Sequence, residues 1–200
     1  MRIANPTPQT KEDLMNAATR LMIAKGYEGT TVDEICEAAK VTKGSFFHYF
    51  KSKEDLAGRL IKRFAEGAGR VMKEAGCCEG DDPLDRIYAY VDCAIRMARD
   101  PDFKGCLIGT FSQEMAETHS GFRSLCAESF QQMAVFLRED FVKAKAKYAP
   151  KASFDAAGLA DYFIAVSQGS FLMKKVTRDG KVLERNLRLL KQHIRSLYGK

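Results

Sequence analysis

Nowhere do the 200 residues approach the ~18 consecutive uncharged apolar positions that a membrane-spanning helix requires. Proline is scarce, at 5, and the 15 glycines follow no repeat, so collagen-like and mucin-like chains are excluded. A hydrophobic fraction of 46% excludes a wholly disordered one. The six cysteines (Cys36, Cys77, Cys78, Cys93, Cys106, Cys126) follow no zinc-ligand spacing, and a chain of this size builds a core without staples. A reduced, cytoplasmic setting with neither metal nor cofactor is therefore expected. The opening Met1-Arg2-Ile3-Ala4-Asn5-Pro6-Thr7-Pro8 lacks the apolar core of a secretory signal and reads as a loose arm. Strand signals are missing too: there is no sustained alternation, and Asp179-Gly180 falls between two segments of helical period. The length allows one domain, or a small one followed by a larger one.

What is present is charge, unevenly spread. Residues 1–63 carry 11 Lys/Arg against 8 Asp/Glu, residues 64–169 carry 12 against 16, and residues 170–200 carry 9 against 2. A mildly basic start, an acidic middle and a basic end make a polyanion partner plausible for one part of the chain only.

Apolar spacing predicts an all-α chain of about nine helices. Leu14, Ala17, Ala18 and Leu21 mark a first helix from about Thr10 to Lys25, which Gly26 terminates. Thr31-Val32-Asp33-Glu34 fits a capping box and opens a second. A very short third follows Thr42, and a fourth starts at Ser52 and runs to about residue 75. Leu84, Ile87, Tyr88, Val91 and Ile95 give a clean stripe closed by Asp100-Pro101. Further helices are expected at about Gly105–Ala116, Gly121–Lys147, Phe154–Arg178 and Lys181–Leu197. The last carries Leu183, Leu187, Leu190, Ile194 and Leu197 in a narrow seam of heptad type. The helix before it is lined with Ala156, Ala157, Ala160, Ala165, Ser167 and Gly169, which permit a close neighbour. This pair fits either an intramolecular hairpin or a subunit interface.

Residues 31–55 hold two helices too short to stand alone, which must pack on Leu14, Leu21, Leu56 and Leu60 of their neighbours. In the second, about Lys43–Tyr49, Val41, Phe46 and Phe50 can point inward. That leaves Lys43, Gly44, Ser45, Phe47, His48 and Tyr49 outside, on a helix suited to the major groove. Gly44 allows close backbone approach. Thr42 at the helix start can offer donors to a phosphate, and Tyr49, Lys53 and Lys51 are placed to hold others.

The segment Thr31 to Leu56 resembles the DNA-binding part of the TetR/AcrR family of bacterial transcriptional regulators. Thr30-Thr31-Val32, Ile35, Ala38-Ala39, Val41, Lys43-Gly44-Ser45, Phe47-His48-Tyr49-Phe50, Ser52-Lys53-Glu54 and Leu56 all carry residue types found there. Two positions depart from the pattern: Lys40 stands at a turn usually occupied by Gly, and Cys36 replaces a small Ala. If that turn needs positive φ, Lys40 bears modest strain. The resemblance implies a helix-turn-helix domain over residues 1–50, with Thr31 joining the DNA-facing set. It implies an effector-binding and dimerisation domain over 51–200, and a homodimer joined through the last two helices. That tips Leu183, Leu187, Leu190 and Ile194 towards the interface. Two recognition helices then sit ~34–36 Å apart on palindromic double-stranded operator DNA. A small-molecule effector that prefers another spacing lowers the affinity.

Cys106 follows Gly105 at the expected start of a helix, where a thiol pKa falls. Gly105-Cys106-Leu107 resembles a subgroup containing electrophile-responsive repressors, which implies Cys106 as a sensor with Lys175, or less readily Lys174, nearby. Phe111, Met115 and Phe163 belong to a set of aromatic and sulfur-bearing residues that includes Tyr88, Phe136 and Tyr162 and could line an apolar pocket. Cys77-Cys78 and the pair His119 and Cys126 carry weaker metal, redox or thiol-enzyme readings. The leading expectation is a dimeric, ligand-released repressor without enzymatic activity. The alternatives are a cysteine-dependent enzyme and a helical protein-binding adaptor.

Overall fold

The computed structural model of the chain describes residues 7–74, 80–100 and 103–199, and side chains at 68–74 are left aside. Cys77 and Cys78 lie outside the described residues. Among those described there are nine α-helices and no strand: α1 (Pro8–Lys25), α2 (Val32–Ala38), α3 (Lys43–Tyr49), α4 (Lys53–Glu74), α5 (Pro83–Arg99), α6 (Leu107–Met115), α7 (Ser120–Tyr148), α8 (Gly158–Thr177) and α9 (Lys181–Leu197). The order follows the periodicity. The largest shift is the start of α8, four residues later than the apolar pattern suggested.

The chain divides into two compact units, residues 1–64 with 104–129 and residues 65–103 with 130–200. Packing thus groups residues 51–64 with the N-terminal helices. α6 and the first turns of α7 belong with the short N-terminal helices rather than with α5, α8 and α9.

In the first unit, α1 is started by Thr7, whose hydroxyl accepts from Thr10 N–H in a reciprocal capping box. Leu14, Ala17, Ala18 and Met22 of α1 are buried, as are Ile35, Phe46, Phe50, Leu56, Leu60 and Ile61. The seven-residue α2 and α3 therefore draw their order from a shared core, since isolated helices of that length do not persist.

In the second unit, one core joins Leu84, Ile87, Val91 and Ile95 of α5 to Leu137 and Phe141 of α7, Leu159 and Phe163 of α8, and the leucine seam of α9. Leu183, Leu187, Leu190 and Ile194 are 1%, 0%, 3% and 0% exposed. At about 1.5–3 kcal/mol each, their burial contributes on the order of 6–12 kcal/mol before chain entropy is counted. These four, expected to form the subunit interface, are buried against α5 and α8 of their own chain. Polar fastenings surround the core. Arg86 forks onto buried Asp140, with Nη2–Oδ1 at 2.5 Å and Nε at 3.1 Å from both oxygens. Asp82 caps α5 by accepting from Leu84 N–H at 2.8 Å, and Lys147 with Tyr148 holds its carboxyl well below the usual range.

Candidate nucleic-acid interface

The helix-turn-helix is built by its caps. Thr31 Oγ1 accepts from Glu34 N–H at 3.3 Å, while Glu34 Oε2 accepts from Thr31 N–H at 2.9 Å, which fixes the start of α2. The Lys25 ammonium, with the Thr31 backbone and hydroxyl, holds the Glu34 carboxyl down at about 2. α2 ends in a left-handed residue, Lys40 at φ +56°, so the strain expected at this departure from Gly is present. Val41 N–H donates to Cys36 O at 2.9 Å across this turn and aims the chain into α3.

α3 is capped by Thr42, whose hydroxyl accepts from Ser45 N–H at 3.2 Å. Phe46 and Phe50 are buried beneath it, while Thr42, Lys43, Gly44, Phe47 and His48 are exposed, Phe47 to 56%. Ser45, placed outside from sequence, is instead 5% exposed, with its hydroxyl 3.1 Å from that of Thr42. Lys43 Nζ lies 2.8 Å from Asp33 Oδ1 of α2, which raises the lysine pKa. The outer face of α3 thus offers a cation, a bare backbone at Gly44, an apolar ring and an imidazole. These groups suit base edges, methyls and phosphates.

Two residues expected to hold phosphates have protein partners. Tyr49 donates its hydroxyl proton to Thr7 O at 2.8 Å, tying the end of α3 to the start of α1. Lys53 donates to Tyr27 O at 2.9 Å and Thr30 O at 3.0 Å and sits 4.0 Å over the Tyr27 ring. Its ammonium braces the α1–α2 turn, a role that spacing did not reveal.

The residues expected at an effector site divide between the units. Cys106 is the N-cap of α6, 6% exposed, and its Sγ accepts from Gly109 N–H at 3.4 Å. Gly105 before it has φ +136°, a conformation that side chains disfavour. Phe111 and Met115 are buried in the same unit, where Phe111 packs edge-on to Tyr27 at 6.0 Å. Phe163 belongs to the core of the second unit and Lys175 to the exposed surface of α8. Lys174 Nζ donates to Phe103 O at 3.4 Å. Tyr162 and Phe136 are exposed rather than enclosed. Burial raises the Cys126 thiol pKa, with Cys106 a further, smaller cause. Among the described residues, no three His, Cys, Asp or Glu side chains gather to hold a metal ion, and no helix is long and apolar enough to cross a membrane.

Sequence reasoning also missed an apolar stripe on α8. Tyr162, Ala165, Gly169, Leu172, Met173 and Val176 recur on one exposed face, and Val176 is 73% exposed. The i, i+3, i+7 spacing is present in the sequence, interleaved with the small residues. Leu189 of α9 adds an apolar side chain that is 57% exposed.

Nine helices, with a capped helix-turn-helix presenting a basic and aromatic face, define a DNA-binding regulator of the all-helical class. "Bacterial regulatory proteins, tetR family" matches residues 14–60, and "Tetracyclin repressor-like, C-terminal domain" matches residues 83–190. The transcriptional regulator AcuR from Cereibacter sphaeroides is 32% identical over 82% of this chain and 76% of its own. The transcriptional repressor DhaR from Mycobacterium sp. (strain GP1) is 28% identical over 88% of each. The solved structure of NemR from Escherichia coli in its reduced form is 27% identical, covers 92% of this chain and 96% of its own, and superposes with a TM-score of 0.73. The chain belongs to the TetR family of transcriptional regulators.

Proposed function

We infer that this protein is a cytoplasmic, homodimeric repressor that binds a palindromic operator through α3 and is released by a small molecule or by modification of Cys106. The observation that carries the first half is the construction of α3. Its apolar side, Phe46 and Phe50, is buried inside the unit, while Lys43, Gly44, Phe47 and His48 stand exposed on the opposite side, a cation, bare backbone, ring and imidazole suited to a groove. Residues 1–50 supply the DNA contacts, and residues 51–200 the effector site and dimer contact.

Dimerisation is supported by the α8 stripe and Leu189, an exposed apolar surface that water alone would cover unfavourably. A two-fold axis would place two recognition helices on successive major-groove faces. Release through Cys106 is supported by its place as the N-cap of α6, where its Sγ accepts from Gly109 N–H, so that modification of the sulfur would disturb the start of that helix. The named relative NemR is described in a reduced form, which fits a thiol-based signal.

Duplexes tiled across the DNA upstream of the gene, titrated at 50 and 200 mM salt, test the reading. One duplex should bind tightly and lose ~10³–10⁵ in affinity between those salts if six to ten phosphates are contacted. Its footprint should show two half-sites about one helical turn apart. Binding that is indifferent to sequence, or unchanged by salt, overturns it. Operator affinity unchanged after Cys106 is fully alkylated overturns the thiol route while leaving small-molecule release intact.

A further inference from the structure

α6 and the opening of α7 share a compact unit with α1, α2 and α3. Their meeting point is one carboxylate. Glu114, on the last turn of α6, accepts from Tyr27 N–H at 2.7 Å with one oxygen and from Glu28 N–H at 2.8 Å with the other. Both amides belong to the turn that leads from α1 into α2. Gly26 gives the carboxylate its room. Its φ is +85°, and a Cβ there would lie 2.5 Å from Glu114 Oε2. The Tyr27 ring closes over the contact, edge-on to Phe111 of α6 at 6.0 Å and to Phe122 of α7 at 5.5 Å. From α4, Lys53 donates to Tyr27 O and Thr30 O of the same turn. The turn is therefore held from α6 by a carboxylate and from α4 by an ammonium.

This geometry is more than a brace. A carboxylate that receives two backbone N–H groups forms charge-assisted, directional bonds. Such bonds survive only over a few tenths of an ångström, so α6 cannot shift along or about its axis without releasing the turn or moving it. The next residues on the chain are Thr31 and the seven-residue α2, followed by the seven-residue α3. Helices that short take their orientation from what precedes and underlies them.

We propose that Glu114 is a positioning residue whose carboxylate couples α6 to the helix-turn-helix, so that operator occupancy and the state of α6 bias one another. The proposal rests on the operator-binding reading above. It deepens that reading by naming the link through which an event on α6 reaches the DNA-facing helices. Such a link is reciprocal by thermodynamic necessity: if α6 alters operator affinity, operator must alter α6.

Reciprocity gives a test that needs no effector. Amide hydrogen exchange is followed by mass spectrometry on the full-length protein, with and without the duplex recovered by footprinting. In the wild type, the duplex should slow exchange several-fold in the peptide spanning residues 107–115 as well as in α3. In Glu114→Gln and Glu114→Ala, the duplex should still protect α3, while the response of 107–115 falls to less than half. Glu114→Gln keeps the shape of the side chain but cannot accept at both ends, so it guards against loss of folding in the alanine variant. A lowered melting temperature with an undiminished α6 response would make Glu114 a brace only and overturn the coupling. An α6 peptide indifferent to operator in the wild type would overturn it without any variant. If no duplex binds at all, it is the operator reading that fails, and the coupling falls with it.

Discussion

Replacing Val176 by glutamate puts a carboxylate on the most exposed large apolar side chain of the α8 stripe, at 73% exposure. In a two-fold dimer closed through this face, each interface contains the change twice. Roughly three quarters of a valine remains to be buried at the partner, worth about 1–2 kcal/mol per copy. An unpaired charge enclosed in the contact costs several kcal/mol more. Counted on both copies, even the low end is on the order of 4–6 kcal/mol, or about 10³–10⁴ in the dimer dissociation constant. Leu187→Ala is its counterpart, because Leu187 is 0% exposed within its own chain. That change should remove about 2–5 kcal/mol of folding stability and little association. Sedimentation velocity across 0.1–10 µM, read beside a thermal melt, separates the two. Val176→Glu should sediment as a monomer with melting of the isolated chain preserved, and Leu187→Ala should remain a dimer that melts early. A dimeric Val176→Glu, or a well-folded monomeric Leu187→Ala, refutes the assignment of the interface to the outer face of α8 and restores it to the α9 seam.

Three further outcomes follow from local geometry. Lys40→Gly should raise the melting temperature, because a left-handed non-glycine residue at φ +56° carries about 1–2 kcal/mol of strain, less the extra freedom glycine gives the unfolded chain; an unchanged or lower melting point contradicts this. Arg86→Ala should cost about 3–5 kcal/mol in a denaturant titration, since it strands Asp140, whose side chain is only 8% exposed. Burial pushes the Tyr198 phenol up to about 12, so the folded chain keeps a proton that the unfolded chain gives up near its ordinary value of 10.0. Stability should therefore fall as pH rises from 10 towards 12, and Tyr198→Phe should flatten that part of the profile in thermal melts at fixed pH steps.

The parts of the fold governed by short-range rules were readable in advance. The capping box from Thr31 to Glu34 depends on residues three apart, and it forms as written. Glycine's usual place at residue 40 signalled a positive φ, which Lys40 adopts. The α9 seam was legible as an apolar line fitting either a hairpin or a subunit interface, because periodicity states only that a face is covered. Which helix covers it is a matter of tertiary packing, here α5 and α8 of the same chain. Ser45 went astray for a related reason: a small hydroxyl can turn inward once a capping Thr42 accepts beside it. Glu114 left no trace at all. Its partners lie 87 and 86 residues away, and both are backbone amides, which no side-chain pattern encodes.

The contact between Lys43 and Asp33 bears on how such a protein would search a genome. If α3 enters the major groove as proposed, Lys43 would meet DNA with Asp33 Oδ1 2.8 Å from its ammonium. An arbitrary stretch of duplex must draw that lysine away from a resident anion, and it offers only diffuse phosphate charge in return. A correctly placed guanine, with two acceptors on one edge, gives a directed replacement. On that reading the aspartate would compete with arbitrary phosphates more effectively than with the right base edge, and so would widen the gap between them where competing sites number in the millions.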